Sequence, residues 1–288
     1  MGIKRYIRAA TADECIHSLS KWGPEAAILA GGTDLIPKIR QRKCQVSTIV
    51  DISAIEELNQ IEKNDAGLFL GAMCRLRPLQ NDSCLAGPFA VIRQGAGQVS
   101  NMQVRNVATL GGNICNASPA ADTVPALLVL DAVAHIRGKT GIRKVLLETF
   151  FTGPGEILME HDEMLTGVFL PHPPPKTGAI YKKYAIRGSS DISIIGAAAL
   201  IRLDEGGLVS QAHIALAAVG PTPLRMRREE QMFVGQRPDE KLLAEVAQAC
   251  AESINPLTDM RATKEYRKDM VRVWLKEAIQ EAVAAAKM

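Results

Sequence analysis

The rhythm of apolar and polar positions changes along the chain, and each change predicts an element. Thr11 to Lys21 has helical spacing, with Thr11 as N-cap and Glu14 three residues on, the signature of a short capped helix. Ala26 to Ala30 is an unbroken apolar run, read as a short buried strand, and it passes directly into Gly31-Gly32-Thr33-Asp34. A helical segment from Leu35 to Arg42 follows, capped by Thr33 or Asp34, with Pro37 in its first turn, where the missing donor does least harm. Thr48 to Ile52 predicts a strand, and Ile61 to Met73 a hairpin turning at Lys63-Asn64-Asp65. Leu76 to Ile92 reads as helix broken by Pro78, Gly87 and Pro88. Ala132–Arg137 and Arg143–Leu147 form a second hairpin. Strands follow at Met164–Leu170, Ala179–Ala185, Ser193–Leu203 and Gln211–Val219, with Pro171, Pro173, Pro174 and Pro175 marking a joint between the first two. Beyond Pro223 the pattern turns helical over Asp239–Ser253 and Thr263–Ala286, with Leu242, Val246 and Ala249, then Val271, Leu275 and Ile279, on common faces. Mixed elements, then three or four strands, then helices make an α+β chain in two parts, 1–175 and 176–288.

The stretch 104–126 departs from these patterns. Val104, Val107 and Leu110 lead into Gly111-Gly112, and a dense polar run follows at Asn113, Asn116, Ser118 and Asp122. An apolar, helix-like segment from Ala126 to Ala134 closes it. Two readings are open: a Gly-rich connection with Asx turns before a capped core helix, or the wall of a partly buried polar ligand. The second pair, Gly31-Gly32, shifts the balance toward a ligand. Paired glycines allow positive φ and let another molecule approach the backbone without meeting a Cβ. Two such pairs, each entered from a strand and followed by polar groups, could hold two portions of one extended diphosphate. Other glycine motifs fail. Gly95-Ala96-Gly97 lacks a third glycine, since Ser100 stands in its place, and Gly138-Lys139-Thr140 lacks the first glycine of a P-loop, since Val133 occupies it.

Composition narrows the classes. The 288 residues are 47% hydrophobic and 23% charged, ordinary for a globular chain with ample core. The net charge of +3 spreads over 34 basic and 31 acidic residues, and aromatics make up 4%, a poor base-stacking surface, so nucleic acid is not an expected partner. Lys38, Arg40, Arg42 and Lys43, like Arg225, Arg227 and Arg228, read as solvated helix faces, and Glu160, Asp162 and Glu163 as a solvated loop. Cys15, Cys44, Cys74, Cys84, Cys115 and Cys250 lack metal or redox spacing and suit a reducing cytoplasm. His17, His135, His161, His172 and His213 are isolated, so no metal site or triad is expected. No apolar run is long enough to predict a membrane span, and no signal core follows the basic N-terminus. With no nucleophile or base announced, a nucleotide cofactor is expected to carry the chemistry.

Ala30-Gly31-Gly32-Thr33-Asp34-Leu35, Arg105 to Asn113 and Asn116-Ala117-Ser118-Pro119-Ala120-Ala121-Asp122 closely resemble the FAD-binding medium subunit of molybdenum hydroxylases, the group of carbon monoxide, xanthine and nicotinate dehydrogenases. Arg143 to Phe151, Asp162 to Leu165, Tyr184 to Ile192 and Asp259 to Arg267 resemble it too, so the likeness runs nearly end to end. The resemblance implies a two-subdomain FAD-binding domain of the vanillyl-alcohol-oxidase (PCMH) type, subdomains 1–55 and 56–175, followed by a three-stranded sheet with helices. It implies cofactor contacts from Leu29, Ala30, Gly31, Gly32, Thr33, Asp34 and Leu35, with a second set from Thr109, Leu110, Gly111, Gly112 and Asn113. It assigns Asp122 a hydrogen bond to FAD, Leu165 apolar packing near the flavin nucleotide, and Lys183, with Lys182 as register alternative, a flavin contact. It also implies that Val99 and Ser100 lie near the flavin, on a poorer match. It further implies a cytoplasmic heterotrimer in which a large subunit carries the molybdenum cofactor and a small subunit carries [2Fe–2S] clusters. Electrons would reach FAD here and leave to an acceptor, often NAD⁺. The competing readings are a self-sufficient FAD oxidoreductase, which would need a substrate domain larger than 176–288, and a non-enzymatic nucleotide-binding protein.

Overall fold

A computed structural model describes residues 2–288. The first subdomain alternates β1 (Arg5–Arg8), α1 (Ala12–Trp22), β2 (Ala26–Leu29), α2 (Leu35–Arg40) and β3 (Thr48–Asp51). Its strands are parallel in the order β1-β3-β2, because each helix carries the chain back to the end where the last strand began. Thr11 caps α1 as expected, accepting from the Glu14 N–H at 3.2 Å. The Glu14 carboxylate reaches back to the Ala10 N–H at 2.8 Å, one residue before the cap, so the capping box is shifted by one. Two expectations need correction. β2 is half-buried, being an edge strand bordering an open cavity, and Asp34 stands at the head of α2 without making a cap bond.

The second subdomain runs β4 (Ile61–Asn64), β5 (Gly67–Gly71), α3 (Leu76–Asn81), α4 (Ala90–Gln98), α5 (Met102–Val107), α6 (Leu110–Cys115), α7 (Thr123–Val129), β6 (Val133–Gly138), β7 (Gly141–Leu146), β8 (Phe151–Gly153), β9 (Glu156–Ile157) and β10 (Met164–Pro171). Five strands form an antiparallel sheet in the order β4-β5-β10-β6-β7. Gly95 and Gly97 lie inside α4, and Gly138-Lys139-Thr140 turns the β6–β7 hairpin, so neither is a phosphate loop. The helix expected over Ala126–Ala134 sits earlier. It starts at Thr123, where Pro125 falls in the first turn and needs no donor, and it stops before Asp131, whose φ is +51°.

The third part holds β11 (Thr177–Tyr184), β12 (Ile195–Leu203), β13 (Val209–Ala217), β14 (Leu224–Arg225), α8 (Arg227–Glu230), α9 (Glu240–Ser253) and α10 (Lys264–Ala286). Three long antiparallel strands match expectation, and the two-residue β14 adds an edge. Both faces of this sheet are buried. Ala179, Tyr181, Ala198, Leu200 and Ala215 join the core of the second subdomain, while Ala197, Ala199, Ile201, Ile214 and Leu216 pack with residues of α9 and α10. The near-continuous apolar sequence of β12 follows from that double burial.

Polar struts cross the same interface. Arg225, expected on a solvated helix face, is instead buried on β14. It donates to Leu128 O and Asp131 Oδ1, both at 2.8 Å, and pairs with Glu230. A guanidinium that leaves water must find such partners. Arg227 pairs with Glu148 and Arg143 with Glu163, so the acidic turn at Glu160–Glu163 is held rather than freely solvated.

Between α9 and α10, Asp259 accepts from the N–H groups of Arg261 and Ala262 and from Arg267. Burial opposes this charge, but those three donors outweigh it and hold the carboxyl at about 2, below its ordinary 3.8. A depressed acid contributes stability in full above its unfolded value and loses it as pH falls through the folded one. Acid titration of the Asp259→Asn protein should therefore lack an unfolding component that the wild type shows between about pH 4 and about pH 2. Circular dichroism across that range is the check.

Candidate functional site

A cleft of about 650 Å³ opens between the first and second subdomains, a size usual for a cofactor site. Ala30 to Leu35 form one wall, and Thr109, Gly111, Gly112 and Asn113 the facing one. Asp122 and Leu165 lie on its floor, and Ser190 to Ile192, from the third part, supply a lip. Of the expected residues, Leu29, Leu110 and Lys183 stand outside the lining. Leu110 is fully buried in the second core, and Leu29 sits behind Gly32.

The first wall supplies backbone donors. Among the described residues, the N–H groups of Gly31, Gly32, Thr33 and Asp34 have no acceptor. Four adjacent unspent amides beside a cavity suit an anionic oxygen. Gly32 needs its glycine conformationally, with φ at +71°, while Gly31 needs it sterically: a Cβ there would lie 2.9 Å from Ala108 Cα and closer still to Val107 O. That contact brings the two walls together.

The second wall differs from the strand-entered turn expected there, since the helix α5 precedes it. Gly111 and Gly112 lie in the first turn of α6, capped by the Thr109 hydroxyl, which accepts from the Gly112 N–H at 3.1 Å. The amides of Leu110, Gly111, Gly112 and Asn113 are all spent, on Cys74 O, Ala72 O, Thr109 Oγ1 and Thr109 O. This wall therefore offers side chains. Asn113 accepts from Thr123 Oγ1 through Oδ1 at 2.6 Å, which leaves its amide nitrogen to donate. Lys38 reaches across to Asn116 Oδ1 at 2.6 Å and ties the walls at the rim.

Asp122 is the polar centre of the floor. Its Oδ1 accepts from Tyr181 at 2.7 Å and Ser193 at 2.8 Å, and its Oδ2 from Lys183 at 2.8 Å. Burial pushes this carboxyl up, against the pull of Lys183 and the three donors, and pushes the Tyr181 hydroxyl well above its ordinary value. A carboxylate offers about four acceptor directions, so one remains on Oδ2. Lys183, for which a flavin contact is expected, is engaged within the chain. Its ammonium donates to Asp122, to Gln98 O at 3.0 Å and to Asp191 O at 2.9 Å, so no N–H is left for a ligand. Lys182 is no substitute: alternation along β11 turns it to the opposite face, where it pairs with Glu277 and Glu281 of α10.

Val99 and Ser100, poorly matched in sequence, do line the cleft beside the lip, and Ser190 is bonded to Ser100 O and Asn101. Ile157, Met159 and His161 line it as well. No local pattern marks these, because a lining residue distant in sequence has no periodicity to betray it.

Residues 2–173 match the family model described as the FAD binding domain in molybdopterin dehydrogenase, and residues 179–282 match the CO dehydrogenase flavoprotein C-terminal domain. The chain belongs to this flavoprotein family. It is 36% identical over 283 residues to the xanthine dehydrogenase FAD-binding subunit of Escherichia coli O157:H7, covering 98% of this chain and 96% of that one. It is 31% identical to the carbon monoxide dehydrogenase medium chain of Afipia carboxidovorans, covering 98% and 97%. Among solved structures, carbon monoxide dehydrogenase from Hydrogenophaga pseudoflava superposes with a TM-score of 0.94 at 28% identity over 98% of both chains. Quinoline 2-oxidoreductase from Pseudomonas putida 86 superposes at 0.92 and 28%. The flavoprotein subunit is thus an oxidoreductase component with FAD as its cofactor. The cleft fits that cofactor: unspent amides at Gly31–Asp34 suit a diphosphate, and apolar side chains around Leu165 and Met159 suit a ring system.

Proposed function

We propose that the flavoprotein subunit is the electron-exit component of a cytoplasmic heterotrimer. A small companion with [2Fe–2S] clusters delivers electrons, a large companion with the molybdenum cofactor oxidises the substrate, and NAD⁺ is the external acceptor. The observation that carries this reading is the two-walled cleft with four unspent amides, in a chain matched over 98% of its length by FAD-binding subunits. Bound FAD supplies a centre that accepts electrons singly and releases them as a pair.

The chain's own residues bind and shield. The amides of Gly31 to Asp34 neutralise the diphosphate, and Asn113 donates from the facing wall. Leu165, Ile157 and Met159 exclude water. Asp122 offers its one remaining acceptor direction to the cofactor and fixes the floor through Tyr181, Ser193 and Lys183. The relatives' chains are matched over 96–97% of their own length, so no added substrate domain distinguishes them from this chain.

Anaerobic reoxidation tests the acceptor. The reduced, FAD-loaded complex mixed with NAD⁺ should regain oxidised-flavin absorbance with matching NADH formation. Reoxidation by a quinone or ferredoxin and not by NAD⁺ would replace the acceptor, and a chain that takes up no FAD would end the whole reading.

A further inference from the structure

Arg40, Arg42 and Lys43 are exposed, as expected of a solvated helix face, but Lys38 lines the cleft and donates to Asn116 Oδ1 on the facing wall at 2.6 Å. The ordinary partner for this lysine is Asp34, one helical turn back, because an acid four residues before a lysine is the favourable order on a helix. Among the described residues Lys38 forms no salt bridge with Asp34 or with any other acid. Its ammonium reaches across to the other subdomain instead.

The charges around the cleft make that reach informative. Among the described residues that line it, Lys38 is the one lysine or arginine, and Asp34, Asp122 and Asp191 are the carboxylates. Asp122 is paired with Lys183 and Asp191 with Arg187, and the Lys183 ammonium has no N–H left. The open amides of Gly31 to Asp34 carry only partial charge. A diphosphate held there therefore has one whole positive charge in the lining to answer it, and that charge is on Lys38.

The two walls are also joined at two points. Gly31 abuts Val107 and Ala108 at one end, and Lys38 is bonded to Asn116 at the other. Between these joints lie the open amides of Gly32, Thr33 and Asp34 on one wall and Thr109 to Asn113 on the other. The first joint is backbone against backbone and cannot yield. The second is a single hydrogen bond between two side chains at the rim, with Lys38 exposed, so it can open and reclose while both subdomains stay folded.

We propose that Lys38 is a further cofactor-binding residue: its ammonium supplies counter-charge to the FAD diphosphate, and its bond to Asn116 straps the two walls together over it. The inference rests on the cleft being the FAD site. An ammonium has three N–H groups and Asn116 takes one, so two remain for phosphate oxygens, in charge-assisted bonds stronger than those from neutral amides.

The test is FAD binding by the full FAD-free chain, followed by the change in flavin fluorescence, in wild type, Lys38→Met, Lys38→Arg and Asn116→Ala. Lys38→Met should weaken FAD about tenfold at about 0.05 M salt, and the difference should shrink at about 0.5 M, because a charge at an exposed rim is screened. ADP, which carries the diphosphate without the flavin, should lose a similar factor as a competitor. Lys38→Arg should regain most of the affinity, since the charge returns. Asn116→Ala keeps the charge and removes the strap, so FAD should dissociate faster while the salt dependence stays as in wild type. The thermal midpoints of the FAD-free proteins should agree. Equal FAD affinity in wild type and Lys38→Met overturns the proposal and leaves the FAD site standing, whereas a wild type that binds no FAD overturns the site as well. A loss that salt does not reduce, or that arginine does not restore, makes Lys38 a structural tie and also overturns the proposal. An unchanged dissociation rate in Asn116→Ala overturns the strap.

Discussion

Replacing Gly31 by valine should abolish FAD retention and cost about 3 kcal/mol of stability, the upper range for overpacking a close contact. The side chain would meet the backbone of Val107 and Ala108, which cannot yield as a flexible side chain would. Because that contact sets the distance between the two walls, widening it should remove the cradle and not merely crowd it. Gly112→Val gives the comparison. A Cβ there meets Thr109 Oγ1 at 2.9 Å and Ala30 Cβ only at 4.0 Å across the gap, so the fold should survive while occupancy falls. Gly32→Val adds strain at positive φ in the loop itself. Denaturant unfolding of the FAD-free proteins, read beside flavin absorbance after reconstitution, separates the effects. Full flavin content in Gly31→Val would rule out the closed-wall account.

Asp122→Ala should cost about 3–5 kcal/mol, because it strands the buried Lys183 ammonium together with the Tyr181 and Ser193 hydroxyls. A carboxylate whose work was one cofactor hydrogen bond would cost about 1–3 kcal/mol, and only in flavin binding. The double variant Asp122→Ala, Lys183→Met should recover a good part of the loss, since no orphan charge remains. Lys183→Met alone should loosen the lip at Asp191, visible as faster amide exchange at Ser190–Ile192 before any cofactor is added. A wild-type exchange rate there, with weakened FAD binding, would return Lys183 to direct cofactor contact.

Residues 104–126 show how far the sequence reaches. Two glycine pairs and their polar followers were sufficient to expect a diphosphate between two walls, because glycine runs are local signals, but the strand expected before the second pair is the helix α5. Apolar periodicity is local too and located the hairpins and the long C-terminal helices, whose spacing and caps are encoded within a few turns. What the two glycines at each wall do was not local. Gly31 is required by Val107 and Ala108, and Gly111 by Ala72 at 2.6 Å, contacts made by residues far along the chain. Four open amides at Gly31–Asp34 and four closed ones at Leu110–Asn113 look alike in sequence, since the acceptors Ala72 and Cys74 arrive only with the fold.

The chain by itself determined most of its strands, its long C-terminal helices and its α+β order, and it marked the two glycine pairs. Tertiary structure decided that Asp122 is the centre of a buried knot, that Lys183 serves that knot and that Lys182 turns to α10. It also decided that the third part closes the cleft and shares a core with the second. Periodicity says which face of a strand is apolar, but not which distant element covers it, and partners for buried charges are chosen by that covering.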